Sequence, residues 1–185
     1  VQSLAIRGKS DRFPINRLFF VGRNYHAHAV EMGKPVDKSV ERPFYFTKAP
    51  QTLVDSGSTV AYPPETQNYH FEMEMVVAIG KAGFRVSQEN AHEVIYGYAA
   101  GLDMTRRDLQ GEAKKMGRPW DTGKAFDQSA PCAALTPATQ FGHPTKGTVK
   151  LLVNGEVRQE GDLNQLIWNV PDTIAYLSTL FTLEP

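Results

Sequence analysis

The chain has 185 residues, enough for one domain with a sizeable core, and its composition is that of an ordinary globular protein. Twenty Lys plus Arg balance twenty Asp plus Glu, so there is no basic footprint for nucleic acid or for an anionic membrane. A single cysteine, Cys132, excludes an internal disulfide, and no apolar run reaches the roughly 18–20 residues of a membrane span. No starting Met, signal peptide, repeat, phosphate-binding glycine loop, zinc spacing or G-x-S-x-G elbow is present, and the cytoplasm is the expected compartment.

Residues 1–16 form a turn-rich edge segment with Gly8 and Pro14. Arg17–Gly22 reads as a compact apolar strand, and Arg23–Gly33 as a short helix capped by Asn24 and stopped by Gly33 and Pro35. On that helix His28 and Glu31 are one turn apart, so a carboxylate can orient an imidazole; the plainer alternative is an exposed i,i+3 pair. The polar stretch from Gly33 to Arg42 reads as a loop able to act, with the helix, as a lid. Phe44–Lys48 is an aromatic strand, with Lys48 facing either a site or solvent, and Thr59–Tyr62 a further short strand.

The centre of the sequence is Tyr69–Gly80. Side chains alternate along a strand, so His70, Glu72 and Glu74 share one face and Phe71, Met73 and Met75 the other. Two carboxylates about 6.5–7 Å apart along a strand, partly enclosed, attract a hard cation such as Mg²⁺, Mn²⁺ or Ca²⁺. Taken alone the pair is more simply described as two surface glutamates on a solvated strand face. Val76–Ile79, apolar on both faces, instead puts the carboxylates at the mouth of a core.

Ser87–Ile95 predicts a helix with Ser87 as N-cap, and Tyr96–Thr105 a strand packed closely against neighbours. Asp103, at the strand's end, is either a third oxygen ligand beside Glu72 and Glu74 or the cap of a helical turn over 105–110. Lys114, Lys115 and Arg118 read as a polar connection. Lys124 follows Gly123 among residues expected to be buried, and a buried lysine requires an anionic partner, structural or substrate. Val149–Glu160 is a hairpin signal around Asn154-Gly155, and Pro171–Leu180 a helix with Pro171 near its first turn.

Gly22-Arg23-Asn24-Tyr25 with His28 and Glu31, Phe71-Glu72-Met73-Glu74, Asp103-Met104-Thr105-Arg106-Arg107-Asp108, the Gly-Lys-Ala-Phe-Asp around Lys124, and Val153–Gln159 together resemble the fumarylacetoacetate hydrolase family. The likeness runs over residues 17–185. Through Leu102–Thr105 and Lys114–Trp120 it is most similar to the acylpyruvase and fumarylpyruvate hydrolase branch.

The resemblance implies an α+β, mainly β fold, a mixed β-roll with peripheral short helices, in a homodimer. It implies a divalent ion, typically Mg²⁺, held by Glu72, Glu74 and Asp103, and His28 with Glu31 as a water-activating pair on a closing lid. Lys124 is implied in catalysis and Gln110 in substrate contact, while Arg23 and Arg107 match motif arginines and join the substrate set without a specific role. Family members continue beyond the final Leu-Glu-Pro, so the catalytic domain over 17–185 is expected to be truncated at its C-terminus. The implied activity is hydrolysis of a carbon–carbon bond in an acylpyruvate, a small 2-keto acid, with fumarylpyruvate in gentisate catabolism as the substrate. Oxaloacetate decarboxylation or dienoate isomerisation is the alternative chemistry, and a non-catalytic 2-keto-acid or metal binding module is the alternative class.

Overall fold

The computed structural model describes residues 2–31, 33 and 35–185. In chain order its elements are β1 (Ser3–Ala5), β2 (Arg12–Pro14), β3 (Leu18–Val21), α1 (His26–Glu31), β4 (Tyr45–Lys48), β5 (Leu53–Asp55), β6 (Tyr69–His70), β7 (Met73–Ile79), β8 (Ile95–Leu102), β9 (Thr105–Arg106), α2 (Arg107–Met116), α3 (Asp121–Lys124), β10 (Ala130–Cys132), β11 (Thr136–Pro137), α4 (Ala138–Phe141), β12 (Thr148–Val153), β13 (Glu156–Asp162) and α5 (Val170–Leu180). Strands dominate and the helices are short, as expected for a mainly β, α+β chain. Among the described residues no helix is long and apolar enough to cross a membrane.

The chain divides into two compact units. The first comprises Val1–Phe19, Thr47–Val77 and Tyr98–Pro137. Its main sheet runs β11-β8-β10-β5, with β7 also paired to β8. The sheet is mixed, because β10 lies parallel to β5 and antiparallel to β8. The N-terminal edge segment is an antiparallel β1–β2 pair, and Ile6 bridges to Leu135. Leu4, Phe13, Leu53, Phe126 and Leu135 are buried here, and each such side chain removed from water contributes roughly 1.5–3 kcal/mol.

The second unit comprises Phe20–Phe46, Ala78–Gly97 and Ala138–Pro185. Ala29 of α1 packs with Ile167 and Trp168, flanked by Val21 and Val36. The hairpin β12–β13 forms as expected: Asn154 (φ 53°) and Gly155 (φ 83°) both adopt the left-handed conformation that a type I′ turn requires. Helix α5 starts with a reciprocal capping box between Asn169 and Asp172, with Pro171 in its first turn.

Several expectations are corrected. Residues 69–80 are not one strand: β6 and β7 are separated at Phe71-Glu72, where the Glu72 carbonyl accepts from Asp103 N–H (2.8 Å). Thr59–Tyr62 forms no strand, and Ala61 N–H donates to the Gln128 side chain rather than to a neighbouring backbone. Ser87–Ile95 gives successive i→i+3 turns ending in a 3₁₀ turn over Ala91–Val94, because Ile95 already belongs to β8. Asn24 does not cap α1; its amide exchanges hydrogen bonds with the backbone of Trp168 (2.9 and 2.7 Å). Lys114 and Lys115 form the last turn of α2, where their charge complements the helix dipole. Met32 and Lys34, within the expected lid helix and loop, lie outside the described residues.

Candidate active site

In the first unit the break after β6 is what builds the site. β6 pairs with β9, setting His70 opposite Thr105 and Tyr69 opposite Arg106. With the Glu72–Asp103 backbone bond, this register holds the start of β7 beside the end of β8. Glu72, Glu74 and Asp103 each offer a carboxylate oxygen within 4.8 Å of the others. Asp103 is therefore a member of the cluster and not a helix cap. His70 is not part of it, since its Nε2 pairs with Asn68 Oδ1 at 2.7 Å.

Cations meet these carboxylates unevenly. Lys124 Nζ donates to Asp103 Oδ2 (2.7 Å), Glu72 Oε2 (3.0 Å) and Thr105 Oγ1 (2.7 Å). Arg107 Nη2 contacts Glu72 Oε1 at 2.9 Å, and Lys48 Nζ lies 2.8 Å from Asp103 Oδ1. Among the described residues Glu74 has no ion-pair partner. Burial, then the nearby Asp103 and Glu72 charges, push its carboxyl well above the ordinary range. Burial likewise raises Asp103, opposed by Lys124 and Lys48, and burial lowers Lys48, opposed by Asp103.

This donor set fits a hard divalent cation. All three groups that could hold an ion are carboxylates, and among the described residues Glu74 has no ion-pair partner that would compete with one. Asp103 Oδ1 is a buried oxygen paired with Lys48 at 2.8 Å, and a carboxylate oxygen has a second lone pair for a cation.

Helix positions place Lys124 and Gln110. Lys124 N–H and Gly123 N–H both donate to the Trp120 carbonyl, forming the single turn of α3. A Cβ on Gly123 would lie only 2.8 Å from Gln110 N and 3.0 Å from Gln110 Cα, so glycine is what admits α2 so close to α3. Gln110 is buried on α2 with its side-chain oxygen unpartnered, an acceptor available to a bound molecule.

The second unit carries the remaining expected residues. His28 Nδ1 and Glu31 Oε2 are 3.9 Å apart on α1, on one face as the spacing predicted but beyond hydrogen-bond length. Arg23, with φ 50°, pairs with Glu41 at 3.1 Å, and its guanidinium lies 5.7 Å from the Phe44 ring centroid. Sequence reasoning left Lys48 undecided and omitted Thr105. The signal for Lys48 was its place at the end of a short aromatic strand, where a cation needs either water or a counter-charge.

Residues 17–185 match the family model described as "Fumarylacetoacetate (FAA) hydrolase C-terminal". The chain belongs to the fumarylacetoacetate hydrolase family. Within it, the chain is 60% identical over 154 residues to a fumarylpyruvate hydrolase of a Ralstonia species, covering 83% of this chain and 80% of that protein. It is 39% identical over 173 residues to an oxaloacetate tautomerase of Escherichia coli, covering 93% of this chain and 78% of the relative. The crystal structure of a fumarylpyruvate hydrolase from Pseudomonas aeruginosa, in complex with Mn²⁺ and pyruvate, superimposes with a TM-score of 0.93 at 52% identity. That superposition covers 99% of this chain and 79% of the neighbour and assigns the fold to the fumarylacetoacetate hydrolase type.

Proposed function

We propose that the protein is a divalent-metal-dependent hydrolase that cleaves the carbon–carbon bond of an acylpyruvate, with fumarylpyruvate giving fumarate and pyruvate. The observation that carries this reading is the convergence of Glu72, Glu74 and Asp103 within 4.8 Å, beside the buried ammonium of Lys124. The 60% identity to a fumarylpyruvate hydrolase supports the choice of substrate. So does the neighbour that holds Mn²⁺ and pyruvate, a chemically reasonable product of such a cleavage.

Glu72, Glu74 and Asp103 are the residues that would hold the ion. When bound, a divalent ion supplies Lewis acidity toward the adjacent keto and carboxylate oxygens of a 2-keto acid. His28 takes a proton from water as general base, and Glu31 steadies the imidazolium that results. The water oxygen attacks the distal acyl carbonyl. Lys124 and, through its amide N–H rather than its unpartnered oxygen, Gln110 stabilise the tetrahedral oxyanion, an effect typically of about 3–4 kcal/mol per well-placed donor. Collapse breaks the carbon–carbon bond, and the pyruvate fragment departs as an enolate that is then protonated at carbon. Arg107 holds Glu72 in place, and Arg23 serves the substrate side. The reading extends, on the sequence resemblance, to Mg²⁺ or Mn²⁺ as working ion, a homodimer, and aromatic catabolism in the cytoplasm.

Fumarylpyruvate consumption by the purified chain, followed with and without chelator, tests the proposal. Turnover that is lost on chelation and restored by Mg²⁺ or Mn²⁺ is expected; turnover indifferent to chelation counts against it. A second reading, acting on oxaloacetate, is favoured by the 39% identical tautomerase. Side-by-side rates on the two substrates separate the readings.

A further inference from the structure

We infer that Lys48 is a positioning residue for metal binding, fixing the carboxylate of Asp103 so that the cluster is assembled before the ion arrives. This rests on the metal-dependent reading above. The Lys48 side chain is fully shielded from water (0% exposed). Its ammonium has three N–H donors, and three acceptors surround it. The Ser129 carbonyl is at 2.7 Å, the Met104 carbonyl at 2.9 Å and Asp103 Oδ1 at 2.8 Å.

Two of those acceptors are backbone groups of segments that are themselves tied together, because Met104 N–H donates to the Ser129 carbonyl at 3.0 Å. Lys48 thus joins the end of β4, the turn after β8 and the segment leading into β10. Its nitrogen is anchored by main chain and cannot follow a wandering carboxylate. Asp103 is gripped on both sides, with Lys48 at Oδ1 and Lys124 at Oδ2. The two grips differ in kind. Lys124 donates a hydrogen bond to Oδ2, whereas Lys48 holds Oδ1 in an ion pair that leaves this oxygen a further lone pair for a cation. Lys48 therefore sets the rotation of the carboxylate without consuming the oxygen that would ligate. Groups that orient a metal ligand typically contribute about 10–100-fold to affinity.

The test measures Mn²⁺ binding alone, by calorimetry on the full chain without substrate, for wild type, Lys48→Met, Asp103→Asn and the double variant. Lys48→Met is expected to raise the Mn²⁺ dissociation constant at least about tenfold, and to add less than about twofold once Asp103 is already Asn. Circular dichroism and amide exchange establish that each variant is folded. Should Lys48→Met leave the Met104 and Ser129 carbonyls too poorly satisfied to fold, Lys48→Gln retains a donor for them and is expected to show the same loss. Wild-type Mn²⁺ affinity in a folded Lys48 variant, with affinity lost in Asp103→Asn, overturns this inference and leaves the metal-dependent reading standing. An equal Lys48 effect in both backgrounds also overturns it, since Lys48 then acts other than through Asp103. Undiminished Mn²⁺ binding by Asp103→Asn overturns both.

Discussion

Lys124 and Asp103 form an ion pair of 2.7 Å with both side chains almost wholly out of water, 2% and 1% exposed. Bringing such charges out of water is costly, and their mutual attraction with added hydrogen bonds offsets much of that cost. Removing one partner exposes the whole penalty of the other. Here each carboxylate keeps a second cation, Lys48 for Asp103 and Arg107 for Glu72, so Lys124→Met is expected to destabilise the metal-free protein by about 1.5–3 kcal/mol. Urea denaturation under chelation measures this. A loss below about 1 kcal/mol would mean that the pair is not held as described.

Glu74 behaves oppositely, since it is the carboxylate with no cationic partner among the described residues. Its folded-state pKa is raised, so its contribution to stability is full below the ordinary carboxylate value and is lost as pH rises through the raised one. Glu74→Gln, which cannot ionise, is therefore expected to raise the melting temperature of the chelated protein at neutral pH. The same substitution is expected to abolish the rise that Mn²⁺ produces in wild type. Thermal scans with Mn²⁺ and with chelator check both signs.

His28 is assigned to proton transfer and not to the cation. His28→Ala is expected to lower kcat about 10²–10⁴-fold while leaving Mn²⁺ affinity within about twofold of wild type. Comparable losses in turnover and in calorimetric Mn²⁺ binding would contradict the assignment.

His92 and His143 stack with ring centroids 4.2 Å apart and planes within 4°. Desolvation, then the His92 ring, lower the His143 pKa from its ordinary 6.5. A folded value below the unfolded one favours the neutral ring. The stabilisation is complete above the ordinary value and drains as pH falls through the lowered one. Melting temperature is expected to fall more steeply below pH 6.5 in wild type than in His143→Asn; superimposable profiles would dismiss the pair as a pH-sensitive contact.

What was legible in the sequence was whatever depended on local chemistry. Asn154-Gly155 specifies its own turn, Pro171 its own helix start, and Glu72 with Glu74 a candidate cation site once the apolar run Val76–Ile79 that follows is taken into account. What was not legible depended on distant partners. Alternation over 69–80 could not reveal a break at Phe71-Glu72, because the Glu72 carbonyl is claimed by Asp103 N–H, thirty-odd positions along the chain. Ser87 looks like a helix cap, but Ile95 enters the sheet before a helix can propagate. The side of β4 that Lys48 takes was undecidable without knowing that Met104, Ser129 and Asp103 gather beside it.

The bare hydrogen at Gly123 sets the spacing between Gln110 and the turn that delivers Lys124. A methyl group there would act as a wedge, prising two helices apart and withdrawing an ammonium from its carboxylates without altering one ionisable atom. Scanning the acidic and basic positions for control over this centre would pass over the residue on which its dimensions hinge.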